Sequence, residues 1–166
     1  MTTDITTHTS TTSGSASLWI GAPADRIWPL VSDPTRMGEF SPENSGARWR
    51  GGAKQAAVGA RFRGFNRRGL AVWYTDCAVR TCVPEQEFSF DVMFPPVIPL
   101  VATWTWRLEP DPANADRTRV TVSWELPREV GRARKLFYRS FGVTNRERDL
   151  ADGTSATLRR IAAALE

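Results

Sequence analysis

The chain has 166 residues, 41% of them hydrophobic and 24% charged, with a net charge of +4. That fits one soluble globular domain long enough to bury a core, and no apolar run approaches the roughly 20 residues that span a bilayer. The single histidine, His8, lies near the start of the chain, so the rest has no histidine for a catalytic base or a His-cluster metal centre.

Residues 1–14 are rich in Thr and lack the basic start and apolar centre of a signal peptide. They read as a disordered tail, ahead of a single domain over 15–166. Ser15 to Ile20 is the first expected strand. Pro23 suits the first position of a helix that runs to Val31, with Pro29 kinking or shortening it. A second helical turn follows from Thr35 to Phe40, and 41–46 reads as a loop. Strands are then expected over 47–51, 60–66, 71–83 and 88–94, with Gly69 closing the turn between the second and third. The Pro-rich stretch 95–99 interrupts the pairing, because proline cannot donate to a ladder. Two more strands, 101–108 and 119–126, flank a polar hairpin loop over 109–116. With no helix between successive strands, the sheet should be antiparallel. Residues 127–166 read as helical, with Leu150, Leu158, Ile161 and Leu165 on one face and Gly142 as a point of division. The fold class is therefore α+β: about seven strands, two short helices after the first, and a long C-terminal helix.

Alternation of apolar and polar residues assigns the faces of these strands. Phe88 and Phe90 share a side, as do Trp104 and Trp106, and Trp124 continues the series. Trp73, Thr75, Cys77 and Val79 form one face of the long strand, and the charges on the other face put this set inward. Phe62, Gly64 and Asn66 share a face in the same way. One helix cannot cover so long a twisted sheet, so large rings must fill the remainder or line a hollow. Cys77 and Cys82 are five apart, which puts them on opposite faces while the strand is regular, as free thiols. The arginines are scattered and several alternate with acids, and no recognition helix, zinc or single-strand-binding pattern is present. Nucleic acid is therefore not an expected partner, and a cytoplasmic location suits free thiols.

Several strings resemble the START-like (SRPBCC, helix-grip) superfamily, and most closely its polyketide cyclase/dehydrase-like branch. They are Ala22-Pro-Ala-Asp-Arg-Ile-Trp28 with Val31-Ser-Asp33, Phe40-Ser-Pro-Glu43, the run from Gly59 to Gly69, then Trp73, Cys77 and the segment 117–121. Phe40 stands where members of that branch often carry Trp. The resemblance implies a curved antiparallel sheet wrapped around the C-terminal helix, with a hydrophobic small molecule bound between them and no cofactor or metal. A monomer or a homodimer is compatible with it.

The fold so implied brings Glu43 to the cavity mouth, where a carboxylate beside an apolar hollow would have a raised pKa and act as a general acid or base. The alternative is a loop acid paired with Arg48 or Arg61. Asn66 is the second catalytic candidate, to bind a ligand carbonyl or hold Glu43; the alternative is an ordinary turn residue. Expected ligand contacts are Phe40, Phe62, Trp73, Thr75, Phe88, Phe90, Phe94, Trp104, Trp106, Trp124, Phe141 and Glu147, each with plain packing as its alternative. Glu147 also closes the string Thr144-Asn-Arg-Glu147, a capping box. The apolar loop Phe94–Pro99 is a candidate lid, and Arg67 and Arg68 read as solvated turn charges. The expected function is binding of a polyketide-like or aromatic molecule, with cofactor-free cyclisation or dehydration as one reading and non-catalytic carriage or sensing as the other.

Overall fold

The computed structural model describes residues 4–10, 12–94, 98–127 and 146–165. In chain order these form β1 (Thr6–Thr9), β2 (Ser13–Ile20), α1 (Ala24–Val31), a 3-10 turn (Pro34–Arg36), α2 (Met37–Phe40), β3 (Asn44–Arg50) and β4 (Arg61–Arg68). Then come β5 (Ala71–Val83), β6 (Glu87–Phe94), β7 (Ile98–Asp111), β8 (Asn114–Glu125) and α3 (Arg146–Leu165). The strands build one eight-stranded sheet in the order β1-β2-β8-β7-β6-β5-β4-β3. Every neighbouring pair is antiparallel. The long helix lies against it, which is the arrangement the sequence implied with one strand more.

The additional strand comes from the segment expected to be a disordered tail. Thr6 to Thr9 pairs with β2, from Thr6 opposite Ser17 to Thr9 opposite Gly14. All four of its residues are exposed, so no apolar alternation announces it. Its pairing rests on the backbone groups of the open edge of β2 and on the β-preference of threonine. The expected loop over 109–116 is also largely strand: Glu109 pairs with Arg119 and Pro110 with Thr118. A tight turn remains, held by the Ala113 N–H donating to Asp111 Oδ1 at 2.9 Å.

The core is concentrated at one end. Ile20, Ile27, Val31, Phe88, Val120, Leu158 and Ile161 are each at most 1% exposed. Pro23 serves as the N-cap of α1 and Pro29 is accommodated inside it. The helix brings Trp28 edge-on to Phe88, with centroids 6.5 Å apart. From α3, Leu150, Leu158 and Ile161 are buried and Leu165 packs partly buried against the same core. Gly142 and the Thr144–Glu147 capping box lie outside the residues whose side chains are described.

The face assignment of β5 holds up to Val79 and then changes. A bulge between Val79 and Thr81 shifts the register, so Cys77 pairs with Val92, Val79 with Phe90 and Cys82 with Phe88. Phe88, Phe90 and Val92 share one face, so the extra residue brings Cys82 to the same side as Cys77. The expectation of opposite faces is corrected by that one residue. Both cysteines are free. Burial pushes the Cys77 thiol up to about 12, and burial also raises that of half-buried Cys82.

At the other side of the sheet Gly14 faces Trp124 in register. A Cβ on Gly14 would stand 2.5 Å from the buried Trp124 ring. Gly14→Ala should therefore destabilise the protein by about 1–3 kcal/mol through overpacking, read as a lower midpoint in urea at unchanged slope. A midpoint equal to wild type would show that the ring moves aside freely. A thiol reagent at mildly alkaline pH should label Cys82 first and Cys77 only on unfolding. Equally fast labelling of both in the native protein would show that the sheet's inner wall opens.

Candidate functional site

Toward the other end, a cavity of about 230 Å³ lies between α3 and the sheet. The volume exceeds the roughly 150 Å³ of an apolar cavity that takes up benzene. It lies just under the roughly 300–1,000 Å³ of pockets for drug-sized molecules, so it suits a molecule of one or two rings.

Strand alternation supplies the wall. Phe62, Trp73, Thr75, Phe88, Phe90, Phe94, Trp104 and Trp106 all line it, as the sequence expected. The rings are locked by one another: Phe62 meets Phe90 at 5.2 Å and 71°, Phe88 meets Phe90 at 5.6 Å, and Trp49 supports Phe62 at 5.7 Å. Edge-on and tilted contacts of this kind fix ring orientation beyond simple area burial. The roof is the first part of α3, through Leu150, Gly153, Thr154 and Thr157. The Thr154 and Thr157 hydroxyls donate back to the Leu150 and Gly153 carbonyls, which turns their methyl groups to the surroundings.

One polar strip crosses this apolar wall. Asn44 pairs with Asn66 across β3 and β4, and Asn66 pairs with Trp73 across β4 and β5. Asn44 Nδ2 donates to Asn66 Oδ1 at 3.4 Å, and Asn66 Nδ2 donates to Thr75 Oγ1 at 3.5 Å. The Thr75 hydroxyl lies 3.9 Å from Cys77 Sγ. Gly64 makes room for the strip: a Cβ there would meet Asn44 Nδ2 at 3.3 Å and Thr75 Oγ1 at 3.4 Å. Asn44 is oriented by the Gly46 N–H, which donates to its Oδ1 at 2.9 Å. The amide-to-amide and amide-to-hydroxyl distances are long for hydrogen bonds, so these groups are paired but weakly.

Glu43 lines the mouth beside Pro42. Its backbone is held on both sides: the Glu43 N–H donates to Ser41 Oγ at 3.3 Å, and the Arg67 N–H donates to the Glu43 carbonyl at 2.8 Å. Ser41 Oγ also accepts from the Asn44 N–H at 3.0 Å, so one hydroxyl shapes the loop that delivers both Glu43 and Asn44. The preceding turn is tied to the helix, because Arg160 Nη1 donates to the Phe40 carbonyl at 3.2 Å. Of the two arginines weighed as partners for Glu43, Arg48 lies over the Phe65 ring at 5.9 Å, and Arg61 is exposed in the ladder position opposite Arg50.

Arg68 is not the solvated turn charge the sequence suggested. Its Nη2 donates to Asp149 Oδ2 at 2.7 Å, with each side chain about a third exposed (35% and 32%). The pair joins the β4–β5 hairpin to α3, and Asp149 itself lines the cavity. A second guanidinium nitrogen, Arg68 Nη1, is buried with no protein acceptor.

Four expected contacts are placed differently or lie beyond description. Phe40 is 4% exposed and belongs to the main core rather than the wall, because α2 turns it inward. Trp124 is fully buried over Gly14, among Ala102, Leu126 and Leu150. Phe141, the Glu147 side chain and most of the Phe94–Pro99 loop lie outside the described residues. Asp149, Thr154 and Thr157 were not anticipated. The signal was present: Thr154 falls between Leu150 and Leu158 at steps of four, on the inner face of the helix.

Among the described residues no helix is long and apolar enough to cross a membrane. Comparison with known proteins agrees with the fold. The solution structure of a polyketide-cyclase-like protein from Corynebacterium glutamicum is 28% identical, over 92% of this chain and 90% of that one, with a TM-score of 0.61. A protein from Arthrobacter aurescens reaches a TM-score of 0.65 at 17% identity, over 98% and 90%. A crystal structure described as a putative protein in the dynemicin biosynthetic locus gives 0.62 at 19% identity, over 94% of this chain and 48% of that one. No curated protein matches the chain. The family model described as "Polyketide cyclase / dehydrase and lipid transport" matches residues 11–166, and the chain belongs to that family.

Proposed function

We propose that the cavity binds a small aromatic or polyketide-like molecule and that Glu43 and Asn66 assist its cofactor-free cyclisation or dehydration. The observation that carries this reading is the polar strip, Asn44–Asn66–Thr75, set into a sheet wall made mostly of rings and aliphatic groups. Weakly paired amides inside an apolar cavity gain by donating to a ligand carbonyl, since a buried polar group without a good partner is costly.

The chemistry needs no oxidant. A methylene flanked by two carbonyls loses a proton to the Glu43 carboxylate. The resulting carbanion attacks a second carbonyl carbon of the same chain, and a carbon–carbon bond forms. Asn66 Nδ2 faces the oxygen that becomes an alkoxide, which then takes the proton from Glu43. Loss of that hydroxyl with a neighbouring proton, as water, leaves a conjugated ring. The ring-lined wall contributes by holding a flexible chain folded, which converts an improbable encounter into a positioned one; the carboxylate contributes proton transfer.

Carriage or sensing is the second reading, favoured by how little of the wall is polar. It keeps the strip as a recognition element and leaves Glu43 without a chemical role.

Recognition is checked with two ligands of equal shape, 1-tetralone and tetralin, titrated by calorimetry. The ketone should bind about five-fold more tightly, the worth of one good hydrogen bond, and Asn66→Ala should abolish the difference. Equal affinities in the wild type would remove the strip from recognition. For catalysis, a linear triketo ester is incubated with wild type and with Glu43→Gln. The variant should lose roughly 10²–10⁴-fold in ring formation while keeping its affinity for 1-tetralone. Recovery of the ester unaltered from the wild type assigns the protein to carriage, and equal turnover by the variant removes Glu43 from the chemistry.

A further inference from the structure

Charge is distributed very unevenly along this chain. Residues 44–83, which span β3, β4 and β5, contain seven arginines and one lysine against one acid, Asp76. That segment is +7 in a chain of net +4. Strand alternation puts five of these arginines, Arg48, Arg50, Arg61, Arg63 and Arg67, on the face opposite the cavity-lining Phe62, Gly64 and Asn66.

The same region carries exposed apolar groups. Of six large apolar residues that are well exposed among the described ones, four cluster on the β4–β5 hairpin. Leu70 in the turn is 99% exposed and Val72 is 71% exposed, with Phe65 and Tyr74 behind them. The tip is close to the cavity. Asn66 and Trp73 line it as a cross-strand pair, and only the pairs Arg67–Val72 and Arg68–Ala71 separate them from the turn. At about 3.3 Å per residue, the tip overhangs the mouth by less than 10 Å.

We propose that the β4–β5 hairpin docks on an anionic lipid surface, with Leu70 and Val72 entering the headgroup boundary and the basic groups of the outer face nearest the tip, Arg67 and Arg48, facing lipid phosphates. A fully exposed leucine costs nothing to bury and gains on leaving water, and basic groups near an anionic leaflet add attraction that salt screens. Docking at the tip brings the cavity-lining pair Asn66–Trp73 within about 10 Å of the lipid surface. A nucleic acid fits the charge and not the rest. The rings of Phe65 and Tyr74 are already covered by the Arg48 and Arg63 guanidinium groups, at 5.9 and 4.1 Å, which leaves no platform for bases, and an aliphatic tip has no partner there. The docking surface goes beyond the proposed chemistry and does not depend on what the cavity holds.

The test is flotation of the full chain with vesicles of phosphatidylcholine alone and of phosphatidylcholine mixed equally with phosphatidylglycerol. The protein should float with the mixed vesicles only, and less as salt is raised. The pair Arg48→Gln and Arg67→Gln should lower partition about five-fold per charge. The pair Leu70→Ser and Val72→Thr should lower it on the order of ten-fold with all charges kept. All four side chains are exposed, and an unchanged melting temperature checks that each variant is folded. No preference for the anionic vesicles, or no effect of the Leu70 and Val72 changes, overturns the proposal. So does binding of a single-stranded oligonucleotide without binding of vesicles, which would make the face a nucleic-acid surface.

Discussion

Everything in this structure follows from a mismatch of area. Eight strands spaced about 4.8 Å apart make a sheet nearly 40 Å wide, and α3 is one helix about 10 Å across. The helix can seal the sheet along only part of its inner face. It does so where Leu158 and Ile161 reach the core built by Ile20, Val120 and Phe88. Toward Leu150, where α3 presents Gly153 and two threonines in place of large apolar side chains, the described residues leave a cavity between the two layers. The cavity is the remainder left by that choice of residues.

The closed end is packed tightly: its side chains interlock with almost no exposure. Around the cavity, Phe90 meets Phe62 edge-on and Phe88 at a tilt, which fixes the orientation of the wall's rings. The buried core lies toward one end and the cavity toward the other, and the same two elements, sheet and α3, supply both.

The alternation of apolar and polar residues made most of this legible. β5 runs from Ala71 to Val83 as expected, and the seven rings that line the inner wall are there because period-two geometry leaves them no other side. What could not be read has physical causes. β1 contains no apolar residue, and its pairing is a property of a neighbour's open edge. The bulge after Val79 inserts one residue and reverses the phase of Cys82, and periodicity carries no sign of where an insertion falls. Trp124 is assigned by side, correctly inward, and Phe40 by the resembling string, but neither assignment is a depth: Phe40 is drawn into the core by α2 and Trp124 is covered from Gly14. Asp149 was hidden because its partner, Arg68, lies 81 positions away in sequence, beyond any local pattern.

The polar strip has an origin that local rules also explain. Asn44 and Asn66 face each other because the Ser41 hydroxyl caps the loop before β3, so the strand starts at Asn44. A bulge between Asn44 and Gly46 then resets the pairing, which leaves Asn44 on the cavity side next to Ala47. With a regular strand, the alternation that puts Ala47 inward would have turned Asn44 outward, since the two are three residues apart. The irregularity thus moves one amide from solvent to the wall, beside Asn66 and within a residue of Glu43. Two of the three polar groups at the mouth owe their position to a turn and a bulge, while the rings owe theirs to regular strands. Shape and apolarity are properties of the sheet as a whole, while Glu43 and Asn44 owe their place at the cavity to the turn and bulge at the start of β3.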